Sequence, residues 1–121
     1  MKASLKVSSD TPLLEITLRK YEKPQTKKER DLTKRLCLSL GLLQPGDSRD
    51  VIVDVLHVLF KSRRKRQLLS VEDVEKKVII NRKLHKLQLH GIAPSNIRRQ
   101  IKRLRNLMLV EKVKSRYRVT E

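Results

Sequence analysis

From Ser95 to Met108 the chain reads SNIRRQIKRLRNLM, in which Ile97, Ile101, Leu104 and Met108 recur at intervals of three or four residues. At roughly 100° per residue these positions fall on one stripe, widened by Leu107, and the spacing predicts an amphipathic helix lying on a core. On the same projection Arg98, Arg99, Lys102, Arg103 and Asn106 face outward, with Ser95 and Asn96 at the amino-terminal end. A sharp start is expected at Pro94 and Ser95, because a serine hydroxyl accepts from the free N–H groups of a first turn and proline disfavours helix before it. The outer face is therefore cationic and rich in donors.

Directly after this helix come two short β-prone runs, Leu109 to Val113 and Arg116 to Val119, around an expected turn at Lys114 and Ser115. Such a hairpin carries Lys112, Lys114, Arg116 and Arg118. A basic helix followed by a basic hairpin at the end of a helical domain resembles the recognition helix and wing of winged helix-turn-helix DNA-binding proteins, over about the last 70 residues. The resemblance implies a mainly α fold with small β elements (α+β), double-stranded DNA as partner, the helix in the major groove and the hairpin against the backbone or minor groove. Two features depart from the family's usual pattern. Residues 81–93 form an insertion or helical extension, and the turn of the hairpin has no glycine.

Charge supports a polyanionic partner independently of that resemblance, since 30 Lys and Arg against 13 Asp and Glu give a net +17. Residues 1–47 hold 10 basic and 6 acidic residues (+4), and residues 48–121 hold 20 and 7 (+13), so most of the charge lies with the carboxyl-terminal part. With only Tyr21, Phe60 and Tyr117 as aromatics there is no platform for stacking successive unpaired bases, which disfavours single-strand recognition. A single cysteine, Cys37, lies among apolar residues and reads as a buried structural thiol in a reducing, intracellular protein of cytoplasm, nucleoid or nucleus. The longest apolar stretch, Val51 to Phe60, is interrupted by Asp54 and His57 and is too short to span a bilayer, so no membrane association is expected.

Taken in order, residues 3–9 and 13–21 read as a hairpin around Ser9 to Pro12, with Leu14, Ile16 and Leu18 alternating with polar residues. Thr26 to Glu29 has capping-box spacing ahead of a helix over about 27–40 with Leu32, Leu36 and Leu40 as its stripe. Residues 1–47 are thus an amino-terminal hairpin and helix extension, a packing cover or a dimerisation arm, and residues 48–121 the winged domain. Its first helix is expected from Arg49 to about Ser62, capped by Asp47 or Ser48, with His57 as a satisfied core or boundary residue. Lys61 to Arg66 puts five cations in six residues, and Arg63, Arg64, Lys65 and Arg66 are candidate phosphate contacts or a solvated loop. Leu68 and Leu69 fit a short strand pairing with the wing. Ser70 to Asp73 has capping-box spacing for a helix carrying Val71, Val74 and Val78, whose pattern rotates beyond Ile79.

Enzymatic chemistry is not expected: no glycine-rich phosphate loop occurs, and His57, His85 and His90 have neither a cysteine cluster nor metal-ligand spacing. Neither cofactor nor metal is expected. The favoured function is a double-stranded DNA-binding transcriptional regulator, as a monomer or homodimer. Its rivals are a winged component of a ribonucleoprotein or replication assembly that binds RNA or an acidic protein, and a nonspecific nucleoid protein.

Overall fold

The computed structural model describes residues 15–19, 28–47 and 49–121. Among these residues four helices, α1 (Glu29–Ser39), α2 (Val51–Arg64), α3 (Val71–Leu84) and α4 (Pro94–Asn106), are followed by a two-stranded antiparallel sheet of β1 (Val110–Val113) and β2 (Arg116–Val119). The protein is therefore mainly helical with a small sheet, an α+β arrangement.

Helix α2 is the axis of the molecule. Every residue from Val51 to Leu59 is buried, because α1, α3, α4 and β2 all pack against it. Of Ile52, Val55, Leu56, Leu59 and Phe60, which recur at helical spacing, the first four are fully in the core and Phe60 is partly buried against it, while the additional valines serve the other packed sides. From α3 the core takes Val74 and Val78, from α4 Ile97, Ile101 and Leu104, and from the sheet region Leu69 and Val110. Fully burying an aliphatic side chain of this size stabilises by about 1.5–3 kcal/mol, so the α2–α4 contact is a principal source of folding free energy.

Several local expectations change in the structure. Ser70 caps α3 as anticipated: its hydroxyl accepts from the Asp73 N–H while the Asp73 carboxylate accepts from the Ser70 N–H, both at 3.2 Å. By contrast, the N-cap of α2 is Asp50, whose side chain does not cap at all. Asp47 instead accepts from the Arg49 N–H, and Ser48 lies outside the described residues. Helix α1 is rotated from its expected stripe, with Arg30, Thr33, Cys37 and Leu38 inward and Leu32 and Leu36 substantially exposed. Ion pairs made by Arg30, described below, set that rotation. The Thr26 cap lies outside the described residues, as does most of the amino-terminal hairpin. Of the latter, residues 15–19 carry no strand, all five are exposed, and the Arg19 N–H donates to the Ser39 carbonyl.

Further along the chain, Lys61 to Arg64 continue α2 rather than forming a loop. Helix α3 runs unbroken to Leu84. Its rotated apolar positions, Ile80 and Leu84, point to solvent, while Asn81 and Arg82 turn inward. Helix α4 starts at Pro94 as its first residue, with Ala93 as N-cap, so Ser95 does not cap. It ends before Met108, which has φ 61° and is half-exposed instead of extending the stripe.

Leu69 forms the expected antiparallel bridge, exchanging N–H···O bonds of 3.0 and 2.8 Å with Tyr117 and fastening the hairpin to the start of α3. In the hairpin, Val113 pairs with Arg116, leaving Lys114 and Ser115 as a two-residue loop. Both have positive φ, 50° and 52°, the pattern of a type I′ turn, which usually has glycine at its second central position. Each L-residue held in that region costs about 1–2 kcal/mol. Ser115→Gly is therefore expected to stabilise the protein by about 0.5–1 kcal/mol after the greater unfolded-state freedom of glycine is deducted. A higher urea midpoint at unchanged slope checks this, and a lower midpoint refutes it.

Candidate nucleic-acid interface

The orientation of α4 follows from three residues. Ile97, Ile101 and Leu104 are at most 2% exposed, which fixes the opposite face toward solvent. Its start is held by Gly91, which has φ +77° and where a Cβ would lie 3.0 Å from Asn96 Nδ2 and 3.1 Å from Val51 Cγ2. No larger residue fits this approach without displacing a neighbour. Asn96 then donates to the Gly91 carbonyl at 2.7 Å and accepts from Gln100 at 3.0 Å, so its amide secures the helix entry and is only half-exposed.

On the outer face Arg98, Arg99 and Lys102 are exposed and make no hydrogen bond or ion pair with any described residue. Ser95 and Asn106 are exposed at the two ends of the helix. Two grooves flank this ridge. One, between α4 and the hairpin, brings together Arg98, Lys102, Arg105, Asn106 and Lys112 over a floor that includes Ile101, Met108 and Tyr117. The other, between α4, the start of α2 and the 85–93 connection, is lined by Arg49, His90, Arg99 and Arg103 among amides of Gln88, Asn96 and Gln100. Glu111 and Asp47 are the single carboxylates lining the first and second groove respectively.

Two of the expected cations, Arg103 and Arg118, make bonds within the protein. Arg103 is turned inward: its guanidinium donates to the Leu42 carbonyl at 2.9 Å and to Gln100 Oε1 at 3.0 Å, bracing α4 against the segment after α1. Arg118 stands opposite Glu111 in the sheet register and donates to its carboxylate at 3.3 Å, with Glu121 at 3.6 Å. Lys112, Lys114 and Arg116 are exposed. The basic run at the end of α2 is divided three ways. Arg63 and Arg64 face a groove with α1, where Arg64 pairs with Glu29. Lys65 borders a cleft between α2 and α3, and Arg66 lies beside Arg116 near the hairpin. Arg105 and Arg49 escaped the sequence projection, although Arg98, Lys102 and Arg105 follow the same i, i+4, i+7 rule as the apolar stripe. Arg105 lies over the Tyr117 ring, 6.0 Å from its centroid.

Beneath the interface is a buried ionic cluster built from α1, α2 and α3. Asp54, with no exposed surface, accepts four bonds: from Arg30 Nε and Nη2 at 3.0 and 3.1 Å, Asn81 Nδ2 at 2.9 Å and Arg82 Nη1 at 2.7 Å. Asp50, one turn earlier, accepts from Arg30 and Arg82, both at 3.0 Å. Two arginines thus meet two carboxylates. Burial opposes ionisation of Asp50, but Arg30 and then Arg82 more than offset it and hold its pKa below the ordinary value. Burial likewise works against the charge of Arg30, and Asp54 followed by Asp50 reverses that. Arg82 also donates through Nε to the Gln88 carbonyl at 2.6 Å, tying the connection before α4 to the centre of the protein. Cys37 is fully buried, and its pKa is pushed up to about 12 by burial, which makes it an inert thiol.

His57 joins this cluster in a defined protonation state. The Asn81 amide nitrogen donates to Asp54 and to His57 Nδ1 (3.1 Å), while its oxygen accepts from Lys61 at 3.1 Å. Flipping the amide would set its oxygen against a carboxylate, so Nδ1 must be the acceptor and Nε2 carries the hydrogen toward Glu29, 3.4 Å away. The groups facing His57 are Glu29 of α1, itself held by Arg64; Asp54 and Lys61 of α2; Asn81 of α3; and His85 just after α3, its ring 6.1 Å away. Burial, then the Lys61 charge, lowers the His57 pKa below 6.5 despite Glu29. The folded protein consequently binds fewer protons here than the unfolded chain. The contribution to stability is complete above pH 6.5 and declines as pH falls below it toward the depressed folded value. Urea midpoints are expected to be lower at pH 5.5 than at pH 7.5, and His57→Gln should flatten that difference; an equally steep loss in the variant would assign it elsewhere.

Among the described residues no helix is long and apolar enough to cross a membrane, and no cluster of three metal-ligating side chains occurs. Compared with known proteins, the chain matches no family model, no curated protein and no solved structure.

Proposed function

We propose that this protein binds double-stranded DNA in the manner of a winged helix-turn-helix protein and acts as a transcriptional regulator. In this reading α3 and α4 are the helix-turn-helix, α4 enters the major groove and the β1–β2 hairpin is the wing. The observation that carries it is the face of α4: Arg98, Arg99 and Lys102 are exposed and unpaired with any described residue, on a helix whose opposite side is locked into the core. A rigid helix bearing free guanidinium groups suits bidentate contact with guanine O6 and N7. Cation-lined grooves on both sides of the ridge suit the two phosphate strands that border a major groove. Lys112, Lys114 and Arg116 would follow the backbone or minor groove beside it, with Arg66 adjacent to Arg116.

Selection from a randomised duplex pool, with competing RNA at near-physiological salt, tests the proposal. A +17 chain binds any polyanion at low ionic strength, so the salt condition decides whether the result is informative. An enriched motif, changed in preference by Arg99→Ala and weakened uniformly by Lys114→Ala, supports the regulator. Retention without a motif points to packaging, and displacement by RNA overturns the DNA assignment.

A further inference from the structure

The α2–α3 cleft lies apart from the α4 interface, since no residue of α4, β1 or β2 lines it. Its walls are Val58, Ile80 and Leu84 on the apolar side and Lys61, Lys65 and Lys77 on the charged side, with Ser62, Gln67 and Asn81 between them and no carboxylate. Ile80 and Leu84, one helical turn apart on α3, are 58% and 70% exposed, the two most exposed large aliphatic side chains of the four helices. The cavity volume is about 160 Å³. That is close to the size at which an apolar cavity accepts a benzene ring, so it can seat one large side chain of a partner.

We propose that this cleft docks an acidic amphipathic segment of another protein, which inserts an aliphatic or aromatic side chain against Ile80 and Leu84 and sets carboxylates against Lys65 and Lys77. Charge selects this occupant. A second copy of the chain would bring +17 to a surface that already carries three lysines, and residues 1–27 hold six basic and three acidic residues, a net +3. Neither complements the rim, whereas Asp or Glu flanking an apolar anchor satisfies both halves of the cleft. Because no residue of α4 lines this surface, the partner can occupy it while α4 holds duplex DNA, with Lys77 shared between the cleft and the groove beside Arg116.

The test screens the full chain against a display library of helical 16-residue peptides with Leu or Phe at i and i+4 and either Asp/Glu or Lys/Arg between them. A peptide of residues 1–27 is included. Acidic members should be enriched, with amide shift changes at Val58, Lys77, Ile80 and Leu84. Their affinity should fall at least tenfold in Ile80→Ser/Leu84→Ser, with duplex binding unchanged. Both substituted side chains are exposed, so folding is preserved and a circular dichroism melt verifies it. Four results would overturn the proposal: acidic peptides that bind equally without their apolar residues, shift changes confined to α4, equal binding by the 1–27 peptide, or self-association that the double variant abolishes. Loss of duplex binding specificity in the selection described above would leave the peptide result standing, so the two readings fail separately.

Discussion

Asp54→Ala is expected to lower the unfolding free energy by about 3–5 kcal/mol, the usual cost of removing one partner from a buried ion cluster. Four donors converge on that carboxylate, and alanine would leave one N–H of the Asn81 amide without its acceptor and Arg30 and Arg82 sharing Asp50 as their one carboxylate. For a domain with about 5–15 kcal/mol in total the loss is a large fraction. Urea denaturation at pH 7.5 measures it, and a change below about 1 kcal/mol would show that the remaining charges find other partners at little cost. The companion expectation has the opposite character: replacing Arg30, Asp50, Asp54 and Arg82 together by Met, Leu, Leu and Met should be nearly neutral, because no charge is then left buried without a partner and the desolvation cost is avoided. If both results hold, the cluster's distinctive contribution is geometric. It sets the rotation of α1 through Arg30 and anchors the connection into α4 through Arg82 and Gln88.

That geometric role explains where sequence reasoning succeeds and where it stops. The stripes of α2 and α4, the Ser70–Asp73 capping box and the Leu69 bridge were legible because each depends on periodicity or on a short local motif. The ionic cluster was not, since Arg30 and Arg82 lie 24 and 28 residues from Asp54 and charged side chains are assigned to the surface by default. For α1 the default misled directly: Leu32 and Leu36 had the better hydrophobic spacing, yet Arg30 took the inner face. The inward turn of Arg103 depends on the Leu42 carbonyl, 61 residues distant, which a helical projection cannot represent. Arg118 is a different case. Given a two-residue loop at Lys114 and Ser115, counting back places Glu111 opposite Arg118, so their pairing followed from the register once the turn was assigned.

The contrast between Arg103 and its neighbours supplies the second large effect. Arg99→Glu/Lys102→Glu is expected to weaken duplex binding by roughly 100-fold or more, because bidentate base contacts are worth about 1–3 kcal/mol each and reversal adds repulsion from phosphate. The same variant should melt within about 2 °C of the parent, since neither side chain bonds to a described residue and surface changes of this kind usually stay within about 0.5 kcal/mol. If either residue holds a phosphate, the slope of log affinity against log salt should also flatten by about 0.9 for each phosphate no longer neutralised. Arg103→Ala should behave in the reverse way, losing about 1 kcal/mol of stability with its bond to Leu42 while altering duplex affinity far less. Fluorescence anisotropy with the selected duplex and a denaturant titration on the same samples distinguish the two. A double variant that binds duplex as well as the parent would remove α4 from the interface, whereas an Arg103 variant with intact stability and abolished binding would return Arg103 to the reading face and imply that its bond to Leu42 opens when DNA is bound.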